Sequence, residues 1–156
     1  MYERILVPLD GSKVGEAALP HIENLASKLI PETEVEITLL QVITSLEHYV
    51  TIRGAESAYV PYTQEELNQI KKKAEDYLDK AGDSLRAKGA VVKCEVRTGH
   101  AAEEIIKAAQ ETNADLVAMS THGRSGIGRW GFGSVTDKVL RGANIPVLVV
   151  RAPKAA

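Results

Sequence analysis

A glycine-rich loop in the last third of the chain carries the residues best suited to binding an anionic ligand. It spans residues 120–132 and holds four glycines together with the cationic side chains of Arg124 and Arg129. Glycines let backbone N–H groups approach a ligand closely, and arginine forms paired hydrogen bonds with phosphate. The helical pattern that begins after residue 132 adds unpaired amides and a partial positive charge. We therefore expect a phosphate here. The alternative is a solvated loop whose glycines only turn the chain and whose arginines lie on the surface.

Alternating strand and helix patterns surround this loop. Five short apolar stretches have strand length, namely Ile5–Leu9, Val35–Val42, Val91–Val96, Leu116–Met119 and Pro146–Val150. Helical patterns separate them, which predicts an α/β fold with a single open five-stranded parallel sheet and helices on both faces. Right-handed crossovers favour the strand order 3-2-1-4-5. This order sets the first and fourth strands side by side at a topological switch point, where open α/β sheets bind ligands.

Asp10 follows the first strand and should lie beside the glycine-rich loop in this arrangement. A carboxylate there could accept a hydrogen bond from a ribose hydroxyl or hold a metal-bound water. The same residue could instead close an Asx turn over Asp10–Ser12. The two roles are compatible, and the turn is the simpler expectation from this segment alone.

Local signals predict where several helices begin and end. Ser12 is a candidate N-cap, and Pro20 predicts a kink or an altered start in the helix that follows. Thr63 to Glu66 match a capping box that opens a long helix, whose apolar stripe continues to Leu85. Lys88-Gly89 then predicts the end of that helix.

Two segments lead to less specific expectations. Residues 43–62 show no clean periodicity, so this long connection could be a lid, an interaction segment or disordered. Cys94 shares a strand face with Val92 and Val96, which predicts a small core residue rather than a nucleophile.

Composition narrows the class of protein. A chain of 156 residues with 44% hydrophobic and 26% charged residues is expected to form a single domain, residues 1–156. The net charge of −2 gives no nucleic-acid-binding signature. The single cysteine cannot form an internal disulfide, and the sequence has neither a membrane-spanning apolar run nor a signal-peptide start. We expect a cytoplasmic protein that does not bind membranes.

Established catalytic motifs do not account for the loop. The sequence has no G-x-x-x-x-G-K-[ST] phosphate loop, no G-x-S-x-G elbow and no zinc-ligand spacing. Residues 126–131 match G-x-G-x-x-G, but they begin too far beyond the strand and no acidic residue ends the next strand. We therefore assign no catalytic residue and no protein metal ligand, and expect at most slow hydrolysis of a nucleotide.

Several segments of the chain resemble the universal stress protein family. The resemblance spans Ile5–Ser12, Leu39–Val42 and Met119–Val150, and it is most specific in Ser-Thr-His-Gly-Arg-Ser-Gly at 120–126 and Gly-Ser-Val at 133–135. It implies the adenine nucleotide alpha-hydrolase-like fold and a role in the stress response. ATP-binding members of the family carry G-x-x-G-x₉-G-[ST]. In this chain Gly123, Gly133 and Ser134 match that pattern, and Ser120 replaces its first glycine.

The resemblance also implies which residues contact the ligand. They are Pro8, Asp10, Val42, Met119 and Ser120 around the adenosine, and Gly123, Gly133, Ser134 and Val135 at the ribose and phosphates. Mg²⁺ would be held mainly by the phosphates and water. Arg124 and Arg129 are added from their charge alone. Ser134 could also cap its helix, with Asp137 three residues on.

Three functions remain open at this level. The first is an ATP-binding sensor or switch of the stress response, with little or slow hydrolysis. The second is a dimeric interaction module that binds no nucleotide, which the serine at position 120 favours. The third is an enzyme, such as a slow ATPase or a transferase. By resemblance and by its apolar edge, the last strand, Val147–Val150, is expected to pair with its copy in a homodimer.

Overall fold

The fold is built on the predicted five-stranded parallel sheet. The computed structural model describes residues 2–51, 54, 56–121 and 133–153. The strands of the main sheet are β1 (Arg4–Pro8), β2 (Glu36–Ile43), β5 (Val91–Thr98), β6 (Leu116–Thr121) and β7 (Val147–Arg151). Their order across the sheet is β5-β2-β1-β6-β7, and all neighbouring pairs are parallel. Counted within this sheet alone, β1, β2, β5, β6 and β7 are strands 1 to 5, so the predicted order 3-2-1-4-5 is confirmed.

Helices cover both faces of this sheet. They are a 3-10 helix (Gly15–Ala18), α1 (Leu19–Leu29), α2 (Gln64–Ala81), α3 (Asp83–Ala87), α4 (Ala101–Glu111) and α5 (Ser134–Gly142). Residues of α1, α2 and α3 form one buried cluster with one face of the strands, and α4 and α5 form a second cluster with the other face. Successive residues of β1 show the division, because Ile5 and Val7 belong to the first cluster and Leu6 to the second. No helix in the described part of the chain is both long and apolar enough to cross a bilayer.

Pro20 predicted a kink or an altered start for the first helix, and the altered start is confirmed. Pro20 lies in the first turn of α1, where its missing N–H removes no intrahelical hydrogen bond. The 3-10 helix Gly15–Ala18 takes the place of an earlier α-helical start. The capping box is also confirmed, because Thr63 Oγ1 accepts from the Glu66 amide at 3.2 Å and Glu66 Oε2 accepts from the Thr63 amide at 2.7 Å.

The long helix ends earlier than the apolar stripe predicted. It breaks at Gly82, and the stripe continues to Leu85 only through the separate short helix α3. A Cβ on Gly82 would lie 2.8 Å from Cγ1 of Val92, so this position brings the helix backbone against strand β5. Glycine permits that close approach, and the chain bends there instead of continuing as one helix.

The connection from β2 to α2 contains a β-hairpin that the sequence did not predict. Strands β3 (Glu47–Thr51) and β4 (Ser57–Pro61) pair antiparallel and form a two-stranded sheet separate from the main one. Tyr49 and Tyr59 lie opposite one another, with ring centroids 5.4 Å apart in an edge-on arrangement. Both rings are largely exposed, at 61% and 71%. The connection was expected to be a lid, an interaction segment or disordered. Its described residues form a regular hairpin, which contradicts the expectation of disorder.

The expectation for Cys94 was wrong. Its side chain shares a face with Val92 and Val96 as predicted, and those two valines pack against the core. Cys94 itself is exposed, because β5 is an edge strand whose outer part the short helix α3 does not cover completely. Arg86 Nη2 lies 3.9 Å from its sulfur. Residual desolvation raises the pKa of the thiol, so the structure gives no sign of an activated nucleophile.

Candidate functional site

A pocket of about 430 Å³ opens at the carboxyl end of the main sheet. It lies where β1 and β6 are neighbours and the chain turns in opposite directions from them, which is the topological switch point. Residues of β1, β2, β6, the 3-10 helix and the amino ends of α4 and α5 line it. Its volume falls within the range of small-molecule sites, about 300–1,000 Å³.

Eight predicted site residues come together in this pocket. They are Pro8, Asp10, Val42, Met119, Ser120, Gly133, Ser134 and Val135. Gly123, Arg124 and Arg129, the other three, lie outside the residues that the structure describes. The eight come from four separate segments of the chain, and the strand order alone brings those segments to one place.

Other lining residues were not predicted. Leu40, Ala101 and Ile105 provide apolar walls, and Leu9, Val14, Gly15, Thr44, Thr121 and Thr136 complete the lining. Leu40 was detectable, because side chains two apart on a strand share a face and Val42 was already assigned. Ala101 and Ile105 lie on the first turns of α4, which follows β5 at the same edge of the sheet. No comparable sequence pattern predicted the 3-10 helix, so Val14 and Gly15 could not be assigned to the pocket from the sequence.

The Asx turn predicted after the first strand is present. Oδ1 of Asp10 accepts from the amide of Ser12 at 2.9 Å and from its hydroxyl at 2.6 Å. Ser12 Oγ in turn accepts from the amide of Gly15, the first residue of the 3-10 helix, at 3.0 Å. Ser12 is not an N-cap as predicted, because Val14 takes that position in the 3-10 helix and Ala18 in α1. Gly11 adopts a φ of 85°, a conformation that side-chain-bearing residues rarely adopt. These bonds fix the carboxylate of Asp10 at the mouth of the pocket.

Gly15 allows the Asp10 carboxylate to pack closely against the 3-10 helix. A Cβ at Gly15 would collide with Oδ1 of Asp10 and lie 3.1 Å from its Cγ. The absence of a side chain at position 15 is therefore required for the observed position of the carboxylate. Gly15 lines the same pocket.

Ser120 is held by two hydrogen bonds to the backbone of the 3-10 helix. Its hydroxyl donates to the carbonyl oxygen of Gly15 at 2.8 Å and accepts from the amide of Ala18 at 2.8 Å. Both contacts are formed across more than a hundred residues of sequence. The hydroxyl is directed at the wall of the pocket, and its single proton is already used.

The amino end of α5 faces the pocket without a side-chain cap. Gly133 is the N-cap residue and Ser134 the first residue of the helix, and among the described residues no side chain makes a capping hydrogen bond to the first-turn amides. The expectation that Ser134 caps the helix was wrong, because the chain enters the helix one residue too early for its hydroxyl to take that role. The amides of Ser134, Val135 and Thr136 belong to the first turn and have no intrahelical acceptor.

The described pocket combines an anion-accepting end with an apolar region. The first-turn amides of α5 carry the partial positive charge of a helix N-terminus. Asp10 contributes a carboxylate at the end of β1. Leu40, Val42 and Met119 offer apolar surface between them. Such an arrangement can hold an amphipathic ligand with a flat apolar part, hydroxyl groups and an anionic end.

The partly buried phenol of Tyr77 lies near two carboxylates of this region. Burial raises the pKa of Tyr77 well above its usual range, and the negative charges of Glu16 and Asp10 act in the same direction. The phenol therefore stays neutral and packs against the core cluster formed by α1, α2 and α3. In the described part of the chain, no three His, Cys, Asp or Glu side chains lie close enough to hold a metal ion together.

These features define the class of protein: an open α/β domain with a ligand-sized pocket at the topological switch point of its sheet. Comparison with known families then identifies the chain. The profile described as "Universal stress protein family" matches residues 1–151, and the chain belongs to this family.

Two archaeal relatives illustrate the extent of the similarity. Universal stress protein MJ0531 of Methanocaldococcus jannaschii is 32% identical over 161 residues, covering 99% of this chain and 85% of the relative. Universal stress protein MJ0577 of the same organism is 31% identical over 159 residues, covering 97% of this chain and 96% of the relative.

Solved structures agree with the fold. The structure of MJ0577, reported as a structure-based assignment of biochemical function, superposes with a TM-score of 0.75 at 27% identity and covers 99% of both chains. A universal stress protein in complex with cAMP superposes with a TM-score of 0.68 at 20% identity, covering 97% of this chain and 98% of that one. At that identity the second similarity concerns the fold alone.

Proposed function

We propose that this protein binds an adenine nucleotide, specifically ATP, in the pocket at the switch point. The observation that carries the proposal is the convergence of three chemistries in one cavity of about 430 Å³: apolar walls, the Asp10 carboxylate and the first-turn amides of α5. An adenine ring, a ribose and a phosphate chain need these three environments. Membership of the universal stress protein family supports the proposal.

Each part of the ligand has a candidate partner. Pro8, Val42 and Met119 offer apolar contact for the base, and Asp10 can accept a hydrogen bond from a ribose hydroxyl. The amides of residues 134–136 can donate to phosphate oxygens. Gly123, Arg124 and Arg129 belong to the proposal through the family pattern or their charge, since they lie outside the described residues.

Mg²⁺ would accompany a triphosphate and be coordinated mainly by phosphate oxygens and water. The described lining residues fit a metal ion that is held mainly by the nucleotide. Asp10 is the only carboxylate among them, and its Oδ1 already accepts two hydrogen bonds. Asp10 is assigned to the ribose, and no other described lining residue carries a carboxylate or an imidazole. This favours binding over rapid turnover, since a general base is needed near the attacking water. We therefore propose a cytoplasmic sensor or switch of the stress response, with little or slow hydrolysis.

Calorimetry with a matched pair of variants tests the binding proposal. Ala101 lines the pocket and Lys107 is exposed on the same helix, α4. Ala101→Leu should fill the pocket and abolish the heat of ATP-Mg²⁺ binding, whereas Lys107→Leu should leave it unchanged. GTP, AMP and cAMP titrated in parallel test the choice of base and phosphate number. No binding of any adenine nucleotide to the wild-type protein, and none released on denaturation, would overturn the proposal.

We also propose a homodimer formed through the last strand. Strand β7 lies at the edge of the main sheet, and Leu148 on it is 38% exposed. An apolar edge strand with unpaired backbone groups favours pairing with another strand, and two copies related by a twofold axis would pair antiparallel.

One observation favours the second candidate function, a dimeric interaction module that binds no nucleotide. Tyr49 and Tyr59 form an exposed aromatic pair on the hairpin, and Leu46 beside it is also exposed. Aromatic side chains are enriched at protein interfaces. Under this hypothesis Ala101→Leu would leave partner capture intact while Tyr49→Ser and Tyr59→Ser would abolish it. Under the nucleotide hypothesis, Ala101→Leu is the damaging change.

A further inference from the structure

The 3-10 helix forms one wall of the pocket, and the hydrogen bonds at its start are long. The Glu16 amide donates to the Lys13 carbonyl at 3.3 Å and the Ala17 amide donates to the Val14 carbonyl at 3.2 Å, lengths at or beyond the long end for N–H···O bonds. The helix has only four residues, and 3-10 geometry gives poor hydrogen-bond alignment. An external contact is therefore needed to fix this segment in one position.

Ser120 supplies that contact from the other side of the pocket. Its Oγ donates to the Gly15 carbonyl and accepts from the Ala18 amide, each at 2.8 Å, which is shorter than the two hydrogen bonds at the start of the 3-10 helix. Ala18 is fully buried, so no water can replace this acceptor if the hydroxyl is removed. The serine thus joins the end of β6 to the segment that carries Val14 and Gly15 into the pocket lining.

We propose that Ser120 is a positioning residue that preforms the ligand pocket by holding the 3-10 helix in place. The inference rests on the proposed function, because it assigns a role to Ser120 in nucleotide affinity. Its hydroxyl acts through the wall and makes no hydrogen-bond donation to the ligand, since its proton is bound to Gly15. The ATP-binding pattern of the family has glycine at the position of Ser120. The serine side chain takes up space that a glycine would leave empty, and it bonds to the 3-10 helix that forms the wall of the pocket.

Preorganisation predicts a specific pattern of effects. Ser120→Ala removes both hydrogen bonds and keeps the Cβ, so the pocket retains its shape on average while the 3-10 helix becomes mobile. Binding must then order this segment, which lowers affinity. We expect ATP-Mg²⁺ affinity to fall about 3- to 10-fold, corresponding to the loss of one or two ordinary hydrogen bonds. Ser120→Thr keeps the hydroxyl and should restore most of the affinity.

Amide exchange at Ala18, followed by NMR without ligand, tests the positioning role directly. The Ala18 amide should exchange at least tenfold faster in Ser120→Ala than in the wild type and in Ser120→Thr, while amides of strand β5, at the far edge of the sheet, should not change. Saturating ATP-Mg²⁺ should restore much of the protection in Ser120→Ala. Ser27→Ala is the matched control, because Ser27 Oγ also donates to a backbone carbonyl, that of Glu23, far from the pocket. It should alter neither Ala18 exchange nor affinity.

The outcomes separate this inference from the proposed function. Unchanged Ala18 exchange in a folded Ser120→Ala protein would overturn the positioning role, even if ATP binds the wild type. Faster exchange with unchanged ATP affinity would also overturn it, because the wall would then be irrelevant to binding. Faster exchange together with a wild type that binds no adenine nucleotide would overturn the proposed function and the affinity effect, and would leave Ser120 as a structural residue only.

Discussion

The amide of Gly133 donates a hydrogen bond of 3.3 Å to Oγ1 of Thr121, although the two residues are 12 positions apart. Thr121 ends strand β6 and Gly133 precedes the first residue of α5, so the bond joins the two elements that lie on either side of the glycine-rich loop. Thr121 is only 4% exposed. One buried hydroxyl therefore links the start of α5 to the end of β6.

Thr121→Val is expected to weaken both the fold and the pocket. Valine matches threonine in shape but cannot accept the Gly133 amide, so the free energy of unfolding should fall by about 1–3 kcal/mol. Nucleotide affinity should fall as well, because the α5 amides lose their anchor. Urea denaturation and calorimetry measure the two effects. Thr38→Val, at a buried threonine of β2, controls for the change of residue type. Equal affinity in both variants would contradict the anchoring role.

Gly15→Ala should reduce ligand binding through Asp10. The new Cβ would displace the Asp10 carboxylate, and the cost to stability should be small because that carboxylate is exposed and can rotate away. Affinity for ATP-Mg²⁺ should therefore fall about as far as it does in Asp10→Ala.

A double-mutant cycle tests this mechanism. If Gly15→Ala acts only by moving Asp10, the double variant should bind no more weakly than Asp10→Ala alone. Additive losses would mean that the alanine obstructs the pocket itself. The cycle thus distinguishes a role for the carboxylate from a change in the shape of the wall.

The capping box of α2 predicts a pH-dependent contribution to stability. The bond from the Thr63 backbone amide lowers the pKa of the Glu66 carboxyl below its ordinary value of 4.5. A carboxyl with a depressed pKa in the folded state stabilises the fold fully above its unfolded-state pKa, and the effect is lost as the pH falls through the folded-state pKa. Glu66→Gln should be less stable than the wild type at pH 7, and the two should converge in acid. Glu65→Gln, whose carboxylate lies outside the capping box, should show no such convergence.

The sequence predicted the main sheet well because each of its strands is an apolar run separated by a helical pattern. Eight site residues were predicted correctly as neighbours, since their segments end at the same edge of a sheet whose order follows from handed crossovers. Their contact with a nucleotide remains a prediction. The features that were missed depend on tertiary contacts. Gly82 ends α2 because β5 lies against it, and Cys94 is exposed because α3 is too short to cover it.

The hairpin was missed for a different reason. Residues of β3 and β4 are mostly exposed, so their sequence has no alternation of buried and exposed positions to reveal a strand. The 3-10 helix was missed because the bonds that fix it come from Ser120, more than a hundred residues away. A single sequence gives no local signal for a contact at that distance.

The proposed homodimer gives a direct prediction for Leu148. Antiparallel pairing of two β7 strands would bring the two copies of this exposed side chain close to the twofold axis. Leu148→Lys would set like charges close together across an apolar interface, so the dimer should dissociate into folded monomers. Because the side chain is 38% exposed in the single chain, the thermal stability of the monomer itself should change little.

Analytical ultracentrifugation measures this outcome, and Leu140→Lys provides a matched control. Leu140 is 37% exposed and lies on α5 rather than on the edge strand, so its replacement carries the same change of charge and hydrophobicity. We expect a dimer for the wild type and for Leu140→Lys, and a monomer for Leu148→Lys. A dimer that survives Leu148→Lys but dissociates in Leu140→Lys would move the interface to the α5 face. A monomeric wild type at high concentration would remove the homodimer from the proposed function and leave the pocket hypothesis unaffected, because a single chain supplies the apolar walls, the Asp10 carboxylate and the α5 amides on which that hypothesis rests.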